Sequence, residues 1–199
     1  MIKNLVFDYG AVLVDWNPHH YYDKYFGSAA KADWFLENIC TYEWNIKQDN
    51  GRPIREAEEE LISKHPEWEK EIMMYYGKFT EMMGGELPGM EDCLKELKKS
   101  YHIFGLSNWS AETFAIAEPM YPIFKLMEDM VISGREGMVK PHKEIFELAI
   151  KRFGINPSES IFIDDRQENV DGARECGFHG IRFQNREQML REIAELSKR

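Results

Sequence analysis

The sequence predicts an α/β protein: a doubly wound parallel sheet with a helical insertion after its first strand. Three observations lead there. Short apolar runs recur along the 199-residue chain and alternate with segments of helical periodicity, the order expected of a parallel sheet flanked by helices. Most of these runs lack clean polar–apolar alternation, as strands buried on both faces do. Over residues 17–86 the rhythm breaks, and apolar residues recur at helical spacing without a convincing strand.

The first strand lies in residues 2–7, and residues 101–106, 130–132, 161–163 and 180–183 supply the others. Between them, Met90, Leu94 and Leu97 share one helical face. Ile145, Ala149 and Phe153 share another, with Gly154 placed to end that helix, and Val170, Ala173 and Cys176 precede Gly177 in the same way. Met189, Leu190, Ile193 and Leu196 form a last amphipathic face. In the insertion, Trp68, Ile72, Tyr75, Phe79 and Met82 recur at helical spacing, as do Ile54, Ala57 and Leu61, and the stripe reads as the insertion's own core. Asn50-Gly51-Arg52-Pro53 is a turn that starts the second of these helices, while Gly84-Gly85 and Pro88-Gly89 mark a hinge on the return to the sheet. The expected organisation is a core of residues 1–16 and 87–199 and an inserted subdomain of residues 17–86.

Composition bounds the function. A hydrophobic fraction of 43% and a charged fraction of 30% are ordinary for a globular protein. A net charge of −10 argues against nucleic acid and anionic membranes as partners. Cys40, Cys93 and Cys176 are odd in number and form no CxxC pair, which reads as reduced, packed thiols. No signal pattern or membrane span is seen, so a cytoplasmic protein is expected, a monomer or a homodimer.

The chemistry collects at strand ends. Asp8 closes the first apolar run, Ser107-Asn108 the second, and Asp164-Asp165 the fourth, while Lys140-Pro141 precedes a helix. Each alone has a plain reading: a turn cap, a helix cap, a loop pair, a surface lysine. In a parallel sheet, however, the carboxyl ends of the strands share one edge, where ligands bind. Clustered carboxylates suit Mg²⁺, which prefers oxygen ligands and keeps waters for a phosphate. A Ser hydroxyl and a Lys ammonium hold phosphate oxygens. A carboxylate oxygen left free can attack phosphorus.

Phe7-Asp8-Tyr9-Gly10-Ala11-Val12-Leu13-Val14-Asp15, Leu106-Ser107-Asn108, Val139-Lys140-Pro141 and Ile163-Asp164-Asp165 with Asn169 resemble, in order, the four motifs of the haloacid dehalogenase superfamily. The resemblance covers the chain end to end apart from the insertion, whose place resembles the helical cap of many members. It implies a Rossmann-like core and Mg²⁺-dependent hydrolysis of a small phosphorylated substrate through an aspartyl phosphate. Asp8 would be the catalytic nucleophile and a metal ligand, Gly10 would lend its carbonyl to the metal, Asp165 would bind it directly, and Asp164 would bind the metal or its waters. Ser107 and Lys140 would hold the phosphoryl group, and Asn108 would orient substrate or nucleophile. Residues 9–16 would form a flap beside the site.

Gly10 departs from the family pattern. Phosphatases of the superfamily usually carry a second Asp there, which protonates the leaving group. Asp-x-Gly-x-Val resembles the subgroup of bacterial α-D-glucose-1-phosphate phosphatases, as do Gly137–Pro141, the Asp164–Asn169 stretch and the segment Gln48-Asp49-Asn50-Gly51-Arg52-Pro53-Ile54, and a sugar phosphate is the implied substrate. His20, just after the flap, is the candidate for the missing proton carrier, with Asp15 a weaker one. Two other readings remain. A 2-haloacid dehalogenase-like hydrolase would use the same Asp on carbon without metal, which the paired Asp164-Asp165 disfavours. A catalytically weak protein that binds a phosphorylated ligand or a partner is favoured only by Gly10.

Overall fold

In the computed structural model, which describes residues 1–198, the chain runs β1 (Asn4–Phe7), β2 (Val14–Trp16), α1 (His19–Phe26), α2 (Ala29–Asn38), α3 (Tyr42–Asp49), α4 (Ile54–Lys64) and α5 (Glu69–Gly77). It continues through β3 (Met83–Glu86), α6 (Met90–Leu97), β4 (His102–Ser107), α7 (Ala111–Ala117), β5 (Met130–Ile132), α8 (Ser133–Glu136) and α9 (Lys143–Phe153). β6 (Ser160–Asp164), α10 (Gln167–Glu175), β7 (His179–Arg182) and α11 (Arg186–Ser197) complete it. Five strands form one parallel sheet in the order β5-β4-β1-β6-β7.

The two faces of this sheet explain why its strands read as unbroken apolar runs. Leu5, Phe7, Ile103, Ile132, Ile161, Ile163 and Ile181 face one core, shared with Met90 and Leu94 of α6, Phe114 of α7 and Met189 of α11. Val6, Phe104, Leu106, Val131 and Phe162 face the other, against Ile145, Phe146 and Ala149 of α9 and Ala173 of α10. Period-2 alternation is present, but both faces are apolar because helices cover both. α9 ends at Gly154, whose φ of 64° is the left-handed conformation that ends a helix at little cost for glycine. Leu190 departs from expectation: it lies on the exposed side of α11, and the buried face is Gln188, Met189 and Ile193.

The order places the chain's reversal at β1. β4 and β5 extend to one side of it and β6 and β7 to the other, which opens a crevice at the carboxyl ends of β1, β4 and β6. Phe7 pairs with Gly105 and with Ile163, so the next residue, Asp8, stands level with Asp164 on its neighbour strand.

α1 to α5 carry their own apolar cluster, in which Tyr22, Phe35, Trp44, Leu61, Ile72 and Tyr75 are buried together. Expectations for this segment need correction. Residues 17–86 do contain a strand: β3 pairs antiparallel with β2 through Val14↔Glu86 and Asp15↔Gly85, with a bulge near Trp16. Met-Gly-Gly-Glu has weak strand propensity, and only its partner holds it extended. Gly84 and Gly85 lie within this two-stranded ribbon. Phe79 also leaves the insertion's stripe, because it belongs to the main core and meets the Trp109 ring edge-on at 6.0 Å.

Candidate active site

Lys140 is the centre of the site. Its side chain is completely buried, and its ammonium donates to Asp164 Oδ2 at 2.6 Å and to the Leu106 carbonyl at 2.9 Å, and lies 3.0 Å from Asp8 Oδ1. Three donors thus meet three acceptors. Burial alone would push the Lys140 ammonium down, but Asp164 and Asp8 outweigh it and hold it above its ordinary range. Asn108 fixes the lysine's backbone from β4: its amide donates to the Lys140 carbonyl at 3.0 Å and accepts from the Lys140 N–H at 2.9 Å.

Ser107 donates to Asp8 Oδ1 at 2.7 Å. One oxygen of Asp8 is therefore held by both Ser107 and Lys140, while Oδ2 accepts no hydrogen bond from the described residues. Desolvation is the main reason that the Asp8 carboxyl is pushed up to about 7, partly countered by Lys140.

The paired carboxylates differ in burial and in partners. Asp164 is fully buried and occupied on both oxygens, by Lys140, by the amide of Asn169 and by the Arg166 N–H. Asp165 is half-buried, and its carboxylate bonds to no other side chain of the described residues. Burial and then the neighbouring Asp164 charge push it up. Asp8, Asp164 and Asp165 each offer an oxygen within 4.8 Å of the others. An all-oxygen donor set with one unpartnered carboxylate fits a hard divalent cation.

Asp8 and Gly10 open onto a cavity of about 80 Å³ between the sheet edge and the insertion. By the roughly 10–15 Å³ needed per water, it holds a small group rather than a macromolecule. Asn108 and Trp109 line it from the sheet side, and Asn45, Asp49, Tyr75 and Tyr76 from the insertion. Trp16 lines it too, and its indole N–H is buried without a partner among the described residues, as befits a donor kept for a ligand. Gly10 shapes the rim: a Cβ there would meet nothing within 4 Å. Ala11 follows with a φ of 57°, a strained position for a residue with a side chain, in the tight turn back to Val14.

The sequence-predicted residues Asp8, Ser107, Lys140 and Asp164 are joined by direct contacts; Asp165 completes the carboxylate group, and Gly10 and Asn108 line its cavity. His20 and Asp15 lie elsewhere. They bond to each other at 2.8 Å beside Gly84, and neither lines the cavity that Asp8 lines.

Asp49, in the segment Gln48–Ile54 but not among the residues expected at the site, also lines the cavity. Asp49 is buried, and its carboxyl is pushed up to about 7, chiefly by desolvation. The Ser110 backbone N–H and the Lys140 charge favour its ionised form, while the Asp8 charge opposes it. The folded protein therefore binds this proton more tightly than the unfolded chain does, and stability is lost as pH rises from about 4 through about 7. Asp49→Asn is expected to leave stability unchanged near pH 4 and to raise it by ~1–2 kcal/mol at pH 8. Urea unfolding at both pH values checks this; an equal effect at the two would remove the ionisation as its cause.

Comparison with known proteins places the chain in a family. The model of the haloacid dehalogenase-like hydrolases matches residues 2–177. The chain is 28% identical to a D-ribitol-5-phosphate phosphatase of Bacteroides thetaiotaomicron over 97% of both chains. It is 29% identical to a glyceraldehyde 3-phosphate phosphatase of Pyrococcus furiosus, over 61% of this chain and 52% of that one. A predicted HAD-like family hydrolase of Porphyromonas gingivalis superposes with a TM-score of 0.76 over 100% of this chain and 99% of its own, at 23% identity. A HAD family enzyme of Bacteroides thetaiotaomicron, solved with magnesium and inorganic phosphate, superposes with a TM-score of 0.71 over 92% of this chain and 95% of its own, at 23% identity. No described helix is long and apolar enough to cross a membrane.

Proposed function

Because the chain belongs to the haloacid dehalogenase-like hydrolases, we propose that it is a Mg²⁺-dependent phosphatase of small phosphorylated sugars or sugar alcohols. The observation that carries this reading is the state of Asp8: one oxygen is clamped by Ser107 and Lys140, and the other has no partner among the described residues and opens on a small cavity. A carboxylate oriented in this way attacks the phosphorus of a bound ester and yields an aspartyl phosphate, which water then hydrolyses.

Asp8, Asp165 and the Gly10 carbonyl are the residues that would hold Mg²⁺, with Asp164 beside them. When bound, the ion would offset charge on the phosphoryl oxygens. Asp164 serves the site mainly through Lys140, whose ammonium it orients. Lys140 and Ser107 supply donors beside Asp8 and are placed to turn them to the phosphoryl oxygens. The polyol assignment is supported by the names of the two phosphatase relatives and by the cavity wall, where Trp16, Asn45 and Asn108 surround a small volume. Residues 17–86 act in this reading as the cap that selects the substrate.

The expected result is hydrolysis of p-nitrophenyl phosphate in the presence of Mg²⁺, lost on addition of EDTA and recovered when Mg²⁺ is restored. Metal-independent halide release from a 2-haloacid, with no phosphatase activity, would overturn the assignment. A screen over phosphorylated sugars and sugar alcohols then ranks substrates by kcat/KM.

A further inference from the structure

The cavity holds an acid that the phosphatase reading leaves without a task. Resting on that reading, we propose that Asp49 of the inserted subdomain donates the proton to the departing alcohol and then takes one from the attacking water. Asp49 stands at the end of α3 and lines the same cavity as Asp8 and Gly10. Among the cavity's lining residues it is the one carboxyl group besides Asp8, and the other polar side chains there are amides, tyrosines, Thr113 and indoles. Gly10, at the rim, has no side chain to carry a proton.

The position of Asp49 is built from both parts of the chain. The Ser133 hydroxyl donates to the Asp49 carbonyl at 2.6 Å, and the same hydroxyl accepts the Trp109 N–H at 2.9 Å. The turn after α3 lies against α8 so closely that a Cβ on Gly51 would stand 3.4 Å from the Gly134 carbonyl. The end of α3 is thus fastened to the sheet edge that carries Asp8. From within the insertion, the Asn45 amide donates to Asp49 Oδ2 at 3.3 Å, and Asn45 is itself held by the Tyr76 hydroxyl at 2.8 Å.

No cation pairs directly with the Asp49 carboxylate among the described residues. The charged groups that bear on it are Asp8 and Lys140 across the cavity, with the Ser110 backbone N–H beside it. Under these conditions its proton is held up to about pH 7, where a group can both give and receive one.

The two steps balance. In the first, an Asp8 carboxylate oxygen bonds to phosphorus, the P–O bond to the alcohol breaks, and the alcohol oxygen takes the Asp49 proton. In the second, water loses a proton to the Asp49 carboxylate as its oxygen bonds to phosphorus. The P–O bond to Asp8 then breaks, which releases inorganic phosphate and restores both side chains. The net reaction is ester plus water to alcohol plus phosphate.

Esters of graded leaving-group ability test this. For Asp49→Asn with Mg²⁺ present, kcat/KM toward glycerol phosphate, a poor leaving group, should fall roughly 10²–10⁴-fold. Toward p-nitrophenyl phosphate, whose leaving group needs no proton, it should fall less than about tenfold. The variant should also release a burst of nitrophenolate equal to the enzyme and then turn over slowly, because the second step has lost its base. For wild type, kcat/KM toward glycerol phosphate should decline on the alkaline side as Asp49 loses its proton, and the decline should be absent from the variant and kept by Asp49→Glu. Equal losses for both esters, or unchanged rates, in Asp49→Asn would overturn the proposal while an active wild type leaves the phosphatase reading standing. A wild type inert toward both esters overturns the two together. If Asp49→Asn does not fold, the same comparison in Asp49→Ser decides, with thermal melting as the check of folding.

Discussion

Asp8→Asn is expected to lower kcat/KM toward p-nitrophenyl phosphate by at least about 10⁴-fold without loss of the fold. The amide keeps an oxygen in the place of Oδ1, so Ser107 and Lys140 retain their acceptor. It removes the negative charge that makes the second oxygen a nucleophile. It also removes a charge that burial opposes, since the Asp8 carboxyl is pushed up to about 7. The denaturation midpoint of the variant should therefore be no lower than that of wild type at pH 8. The two measurements separate a chemical loss from a structural one. Activity that survives within about tenfold of wild type would sink the covalent mechanism.

Lys140→Met should combine a catalytic loss with a large structural one. Methionine fills much of the same volume but leaves Asp164 buried with only neutral donors, Asn169 and the Arg166 N–H, and leaves the Leu106 carbonyl without its ammonium. Removal of one partner from a buried ion pair costs about 3–5 kcal/mol. Urea unfolding should show a loss of that size, and phosphatase activity should fall with it. Adding Asp164→Asn should restore part of the stability, because it removes the stranded charge, and none of the activity. A single variant that loses less than about 1 kcal/mol would mean that the cluster does not depend on the lysine as its contacts indicate.

The fold and the sheet side of the site were largely legible in the residue order. Strands buried on both faces announce themselves as short apolar runs, and the run 130–132 coincides with β5. Asp8, Ser107, Lys140 and Asp164 were legible because each follows an apolar run or precedes a helix, and a parallel sheet sends all such positions to one edge. β3 was not legible, since Met-Gly-Gly-Glu carries no strand signal of its own and is extended only by pairing with β2. His20 stands near Asp8 along the chain and carries an imidazole, which suggests a proton carrier, but it bonds to Asp15 and does not line the cavity. Asp49, about 40 positions from Asp8 in sequence, had no local mark of chemistry.

The residue order by itself determined the parallel sheet, the helical insertion, the three groups at strand ends and the lysine that precedes a helix, because hydrophobic period and strand polarity are local properties of the chain. Only the tertiary structure decided how those groups are partnered and which residues of the insertion reach the cavity. Which oxygen of Asp8 is clamped, that Asp164 grips Lys140 while Asp165 stays free, and that Asp49 reaches the cavity all depend on approaches between segments far apart in sequence. The same burial moves the protons: desolvation, which no single segment can impose, pushes both Asp8 and Asp49 up to about 7.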